Sequence, residues 1–265
     1  MSRPQEVVDL AVQAESAGAA SLWVSHHVLH RGFVSERLGT RPYYDPLIML
    51  AALAGATARA RIGTSVLVLP YLHPMPTAKM AATIDHLSAG RLDLGVGVGG
   101  LREEHDAIAQ VPFGERGAYS DEFLEVLVLL WAGRTASFSG RYFDFDEVEA
   151  HPGPFSATGI PILVGGHGAA ARRRAGRFGS GWHAIGLEPE QVPAERRAVS
   201  AAFEAAGRSL DGAFQVRLHI PIDDLDLDGW RRRVDAYEGA GVTDLLLAPQ
   251  SGDPDQHRHW LDRVL

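Results

Sequence analysis

Short apolar segments alternate with amphipathic helical segments along this chain, and this alternation limits the possible folds more than any single motif. Seven segments have the length and composition of buried strands; they begin at Ala20, Ile62, Leu92, Ile160, Trp182, Ala213 and Thr243. Apolar residues recur at helical spacing over residues 4–17, 46–59, 75–88, 118–132, 169–178, 189–206, 227–240 and 255–265. Strands that alternate with helices in this way form parallel βαβ units. The sequence therefore predicts a parallel α/β fold.

The number of strands is one short of a closed barrel. A (β/α)8 TIM barrel has eight strands and usually about 250 residues, and this chain has 265 residues. We expect one domain over residues 1–265, with a small hairpin inserted near 134–159. Because the chain opens with a helix, the missing strand is the first. Either the true start lies upstream, or the barrel is open between the strands that begin at Ala20 and Thr243.

Composition excludes several classes of function. The chain has no cysteine, which excludes disulfides, thiolate zinc sites and cysteine nucleophiles. A net charge of -8 argues against a nucleic-acid partner, because phosphate contacts need a basic face. The first residues lack the apolar run of a signal peptide, and no later run reaches membrane-spanning length. We expect a cytoplasmic protein without a membrane partner.

A glycine-rich stretch follows the third strand. Gly95, Gly97 and Gly100 match the pattern G-x-G-x-x-G, but a dinucleotide-binding fold needs that pattern after its first strand and an acid about 20 residues later. Here two helix-strand units come first, and Asp121 opens a helical segment. Glycine at alternate strand positions instead predicts a place where a flat ligand can lie against the backbone.

Two further groups stand where active sites form in βα barrels, at the carboxyl ends of strands. His26 and His27 follow the first strand, and we expect a site role for at least one of them. The turn Gly165-Gly166-His167-Gly168 opens a helix, so its N–H groups could bind an anion such as phosphate. Arg172, Arg173 and Arg174 could add charge there or form a solvated face. Glu103 and Glu104 are interpreted as first-turn acids of another helix.

Other chemistry is disfavoured. Neighbouring histidines on an extended segment point to opposite faces, so no metal site is predicted. The G-x-S-x-G pattern of serine hydrolases is absent from the sequence.

Five blocks of sequence together resemble the bacterial luciferase-like monooxygenase superfamily, and most closely its branch that uses the deazaflavin F420. The blocks are AESAGAASLWVSHH (14–27), GTSVLVLPYLHP (63–74), DHLSAGRLDLGVGVGG (85–100), FGER (113–116) and PILVGGHG (161–168). Their order and spacing match over nearly the whole chain. The resemblance implies a (β/α)8 barrel that binds a flavin or deazaflavin at its carboxyl face. Compared with the family, this chain lacks the first strand.

The resemblance also implies roles for individual residues. Ser65-Val66 stands where the family often has a non-prolyl cis peptide behind the cofactor ring. The implied cofactor contacts are His26, Ser65, Val66, Gly97, Val98, Gly99, Gly165, Gly166, His167, Gly168, Gly179 and Gly181. His27 falls where F420-dependent sugar-phosphate dehydrogenases carry a histidine near the reacting ring. In those enzymes an acid precedes this histidine, and here His26 replaces that acid. The acid expected near Gly100 is also missing. Sugar-phosphate oxidation is therefore not expected.

The resulting functional hypothesis is an oxidoreductase that transfers a hydride between coenzyme F420 and a small organic substrate. His27 would stabilise charge or exchange a proton, because the pKa of histidine lies near neutrality. The alternatives are an FMN-dependent monooxygenase and a non-catalytic flavin-binding barrel. We also expect a homodimer. The substrate is not readable, since loops such as 30–43 carry no sequence code for it.

Overall fold

The computed structural model describes residues 3–40, 42–220 and 227–249, together with residues 257 and 261. Its helices are α1 Pro4–Ala17, α2 Phe33–Leu38, α3 Pro46–Ala56, α4 Pro74–Leu87, α5 Arg102–Ile108, α6 Arg116–Trp131, α7 Ala169–Phe178, α8 Val192–Ala205 and α9 Leu227–Gly239. Its strands are β1 Ser21–Val24, β2 Arg61–Thr64, β3 Leu67–Val68, β4 Leu92–Gly97, β5 Ala136–Ser139, β6 Asp144–Val148, β7 Ile162–Gly165, β8 Gly181–Ile185, β9 Phe214–Ile220 and β10 Asp244–Pro249. The predicted helix over 255–265 falls largely outside the described residues.

The chain groups into two compact units. The central unit is Val24–Pro161, and the terminal unit combines Met1–Trp23 with Ile162–Leu265. In the central unit β2 and β3 both pair in parallel with β4. In the terminal unit β7, β8, β9 and β10 pair in parallel in that order. The predicted parallel βα pattern is confirmed within each unit, while the single-domain organisation stays a prediction.

The predicted insertion is a hairpin. Strands β5 and β6 pair antiparallel, with Phe138 opposite Phe145. The carboxylate of Glu122 on α6 accepts the backbone N–H groups of Arg141, Tyr142 and Phe143 and so fixes the connecting turn. The hairpin is thereby held to α6 by a side chain that satisfies three backbone donors at once.

Local sequence signals fix several helix ends. The side chain of Asp45 accepts hydrogen bonds from the backbone N–H groups of Leu47 and Ile48, which caps α3 as predicted. Gly18 ends α1 with φ of 108°, a conformation that glycine adopts without steric cost. Ser2, the predicted cap of α1, lies outside the described residues; the N-cap position is Arg3, without a side-chain cap. Helix α2 lies inside the segment interpreted from sequence as a loop.

One expected strand is interrupted. The apolar run 61–70 forms β2 and β3, separated by Ser65 and Val66, and the peptide bond between these two residues is cis. The N–H of Ser65 donates to the carbonyl of Val24 at 2.7 Å, outside the regular ladder. The non-prolyl cis peptide that the resemblance implied at this position is therefore observed.

Polar side chains also lie in the core of the terminal unit. His183 on β8 is fully buried, its Nδ1 lies 3.1 Å from the side-chain oxygen of Gln215, and its ring packs against Trp23. Burial lowers the pKa of His183 from 6.5 to about 4, and the positive charge of Arg217 acts in the same direction, against the hydrogen bond to Gln215. At neutral pH His183 is therefore a neutral part of the core.

This buried histidine makes stability fall in mild acid. Between its unfolded pKa near 6.5 and its folded pKa of about 4, the unfolded chain binds the proton more readily, so acid favours unfolding. We expect His183 to remove about 2 kcal/mol of unfolding free energy between pH 7.5 and pH 5, measured by urea denaturation. His183→Gln should flatten the pH profile by that amount, whereas His151→Gln, at an exposed site, should not. Equal pH profiles for His183→Gln and the native protein would contradict this.

Candidate active site

The candidate site residues fall into two groups, one in each unit, and each group is described by itself. The first is a histidine cluster in the central unit, formed by His26, His27, Tyr71, Glu104 and His105. The second is a glycine turn in the terminal unit, formed by residues 165–168, between β7 and α7.

Glu104 organises the histidine cluster. Its carboxylate oxygen Oε2 lies 3.0 Å from Nδ1 of His27. Its other oxygen, Oε1, accepts the backbone N–H groups of Val28 and Leu29 at 2.6 and 3.1 Å. Glu104 is 1% exposed, whereas 27% of the His27 side chain is exposed. A buried acid on α5 thus holds the loop after β1 and the histidine on it.

The carboxylate is ionised at neutral pH. Burial by itself raises the pKa of Glu104, but hydrogen bonds from His27, Val28 and Leu29 outweigh that effect, so the pKa lies below its ordinary value. Glu103 and Glu104 are both in the first turn of α5, as predicted. The sequence interpretation missed the contact with His27, because the two residues are 77 positions apart in the chain.

Tyr71 completes the surroundings of Glu104. Burial raises the pKa of the Tyr71 hydroxyl, and the negative charge of Glu104 and a hydrogen bond to it raise that pKa further. The hydroxyl therefore stays protonated. Tyr71 also borders the glycine stretch, since a Cβ built on Gly99 would lie 3.5 Å from its hydroxyl oxygen.

His26 points to a different partner from its neighbour, as the extended backbone predicted. Its Nδ1 accepts the backbone N–H of Val68 at 3.1 Å, and its ring packs edge-on against Tyr71. Burial lowers the pKa of His26, against the raising effect of nearby Asp45 and Glu104. His26 is thus a neutral group that satisfies a backbone donor of β3.

His105 is the least satisfied member of the cluster. Its Nε2 lies 2.8 Å from the carbonyl oxygen of Val111, so that nitrogen donates. Its Nδ1 is buried and has no hydrogen-bond partner among the described residues. The His105 ring contacts the Phe113 ring edge-on, and the guanidinium of Arg116 stacks on the Phe113 ring.

At two strand glycines, neighbouring residues leave no room for a side chain. A Cβ on Gly95 would lie 1.9 Å from the carbonyl oxygen of Thr64, and one on Gly97 would lie 2.7 Å from Cγ2 of Val66. The expectation that these missing side chains leave space for a ligand is wrong at Gly95, because the interrupted β2–β3 segment fills that space. Contacts of Gly97, Val98 and Gly99 with a cofactor stay a prediction.

The glycine turn leaves a helix start uncapped. Gly166 and Gly168 have φ of 120° and 94°, and no side chain of the described residues caps α7. No described atom lies within 4 Å of a Cβ built on Gly168, and His167, Ala169 and Ala170 are exposed. The first N–H groups of α7, at the positive end of the helix dipole, therefore have no capping side chain in the described part of the chain.

The three arginines that follow the turn have different surroundings. Nε and Nη2 of Arg172 bind the carboxylate of Glu195, at 3.0 and 2.6 Å. Arg174 is buried and Arg173 is exposed. Arg172 is thus paired with an acid of α8, and only Arg173 matches the expected solvated face.

Gly179 and Gly181 stand between the end of α7 and the start of β8. Gly179 follows α7, about 15 Å along a helix of this length, whereas Gly181 lies opposite Leu163 of the neighbouring strand β7. Added Cβ atoms would meet the carbonyl oxygen of Ala175 at 2.8 Å and that of Ala213 at 2.3 Å, so close approach of the backbone explains both glycines. Their contacts with a cofactor stay a prediction.

Comparison with known proteins identifies the family. The profile of the luciferase-like monooxygenase family matches residues 1–260. An uncharacterized protein of Mycobacterium tuberculosis is 32% identical over 263 residues, covering 94% of this chain and 87% of that protein. An F420-dependent glucose-6-phosphate dehydrogenase of Nakamurella multipartita is 34% identical over 226 residues, which is 78% of this chain and 60% of that enzyme.

A solved structure gives the fold. An F420-dependent secondary alcohol dehydrogenase, determined with an F420-acetone adduct, matches with a TM-score of 0.84 at 18% identity, over 99% of this chain and 94% of that one. The chain belongs to the luciferase-like monooxygenase family and has the predicted TIM-barrel fold of that class. It is an oxidoreductase or monooxygenase. Within the described residues, no helix has both the length and the apolarity needed to cross a membrane.

The packing role of the strand glycines is testable at two nearby positions. Gly95→Ala should lower the unfolding free energy by about 3 kcal/mol, because the added carbon meets a backbone oxygen that cannot rotate away. Gly100→Ala is the matched control, since no atom of the described residues lies within 4 Å of a Cβ there. Urea denaturation compares the two, and equal stability would contradict the packing explanation.

Proposed function

We propose that this enzyme transfers a hydride between coenzyme F420 and a small organic substrate. The observation that carries the proposal is the 34% identity to a relative named as F420-dependent over 78% of this chain. When bound, the deazaflavin ring would supply the hydride chemistry, and the protein would supply binding, orientation and proton transfer.

The glycine turn suits the phosphate of such a cofactor. Uncapped N–H groups at the start of α7, next to glycines with positive φ, are the donors that helix N-termini offer to anions. In this proposal Gly165, Gly166, His167 and Gly168 hold the phosphate. Arg172 is paired with Glu195 and is not assigned to that task in this proposal.

The histidine cluster suits proton transfer beside the ring. His27 is partly exposed, and only its Nδ1 is engaged by Glu104, so Nε2 is the ring nitrogen that would exchange a proton with the substrate. His26, Ser65, Val66, Gly97, Val98 and Gly99 are proposed to line the cofactor site.

A flavin-dependent monooxygenase is the second candidate, and the family profile favours it, because the family is named for luciferase-like monooxygenases. FMN also carries a phosphate, so the glycine turn would serve both cofactors. Oxygen consumption separates the two reactions, since hydride transfer to or from F420 uses no oxygen.

The cofactor proposal is tested by binding. We expect F420 to bind with micromolar or better affinity in a fluorescence titration and FMN to bind more weakly. Ala170→Glu should weaken binding by about tenfold or more, because its charge would repel the phosphate while still suiting the start of α7. Ala170→Gln, of equal size and without charge, is the control. Micromolar binding of neither cofactor would overturn the proposal.

The role of His27 is tested by turnover. His27→Ala should lower kcat by about 100-fold, the usual contribution of a general acid or base, while leaving the Kd for F420 within about threefold. A panel of small alcohols with F420, under air and under nitrogen, separates dehydrogenation from monooxygenation. Unchanged kcat in His27→Ala would remove His27 from the mechanism.

A further inference from the structure

The carboxylate of Glu104 faces three hydrogen-bond donors. Oε1 accepts two backbone N–H groups, those of Val28 and Leu29, and Oε2 lies against Nδ1 of His27. All three donors belong to the loop after β1, and each carboxylate oxygen has at least one of them.

The geometry decides which nitrogen of His27 carries the proton. An ionised carboxylate only accepts hydrogen bonds, so Nδ1 at 3.0 Å must be the N–H nitrogen. Nε2 of the neutral ring then carries a lone pair. We propose that Glu104 is a positioning residue that fixes His27 in the Nδ1–H tautomer and so makes Nε2 the proton acceptor of the active site.

The adjacent histidine provides an internal reference. Nδ1 of His26 accepts a backbone N–H, so the proton of that neutral ring is on Nε2. Two neighbouring residues thus hold opposite tautomers, each fixed by a buried partner. No property of the sequence around His26 and His27 distinguishes the two rings in this way.

The consequence for reactivity rests on the proposed function. When a substrate alcohol is oxidised, the hydrogen on its carbon would leave as a hydride to oxidised F420, while its O–H bond breaks and the proton forms an N–H bond at Nε2 of His27. The negative charge of Glu104 stabilises the resulting imidazolium, while the backbone bonds to residues 28 and 29 keep the loop in place. The opposite tautomer would present a hydrogen where an acceptor is needed.

Glu104→Gln is a sharp test because the side chain keeps its size. The amide oxygen should stay on the N–H groups of Val28 and Leu29. The reversed amide would place its NH2 group, which is a donor, against these two backbone donors. The amide nitrogen then faces Nδ1 of His27 and donates to it. The proton of the neutral ring must move to Nε2, so the tautomer reverses while the loop keeps its backbone contacts.

The experiment records long-range 15N–1H correlation spectra of the cofactor-free, 15N-labelled protein at mildly alkaline pH, with His27→Gln used to assign the His27 ring. We expect Nδ1–H for His27 in the native protein, Nε2–H in Glu104→Gln, and Nε2–H for His26 in both. Glu103→Gln is the matched control and should leave His27 unchanged, because that carboxylate packs near Gly32 instead.

Turnover gives the second readout. Glu104→Gln should lower kcat by about tenfold or more with an unchanged Kd for F420, as expected when a catalytic histidine holds the wrong tautomer. A native His27 in the Nε2–H form, or a tautomer that does not respond to Glu104→Gln, would overturn the inference. If the tautomers behave as expected but native protein binds no F420, the positioning stands and the proposed function fails.

Discussion

The buried carboxylate of Glu104 is the interaction on which the histidine cluster depends. An unpaired ionised acid in this position would be costly, and donors on both carboxylate oxygens reduce that cost. The donors come from the loop after β1, whereas the acid stands on α5. One side chain therefore joins these two segments of the central unit, and the direction of the His27 ring follows from it.

Glycine is needed at particular positions of this chain for two different physical reasons. At Gly95 and Gly181 a neighbouring backbone carbonyl occupies the place of a side chain, so glycine is a packing requirement. At Gly166 and Gly168 the backbone adopts positive φ, and no atom in the described part of the chain lies within 4 Å of a Cβ on Gly168. Only the second kind leaves N–H groups available to a ligand. A glycine in the sequence does not tell which of these reasons applies.

Much of the fold was predictable from local patterns. The bounds of α1 and α7 match the predicted 4–17 and 169–178, because strong periodicity and flanking glycines mark their ends. The split of 61–70 into β2 and β3 was not predicted from periodicity, since the run is apolar throughout. Helix α2 was missed because it is short and lies between segments rich in glycine and polar residues.

The sequence by itself determined the parallel α/β class, the family, the cis peptide at Ser65-Val66 and the two candidate groups at His26-His27 and 165–168. These follow from spacing along the chain and from blocks whose order is shared with the family. Only the tertiary structure decided that Glu104 binds His27, that Arg172 is neutralised by Glu195 and that Gly179 lies away from the glycine turn. Those facts depend on distances between residues far apart in sequence, and a hydrogen bond or an ion pair is set by such distances.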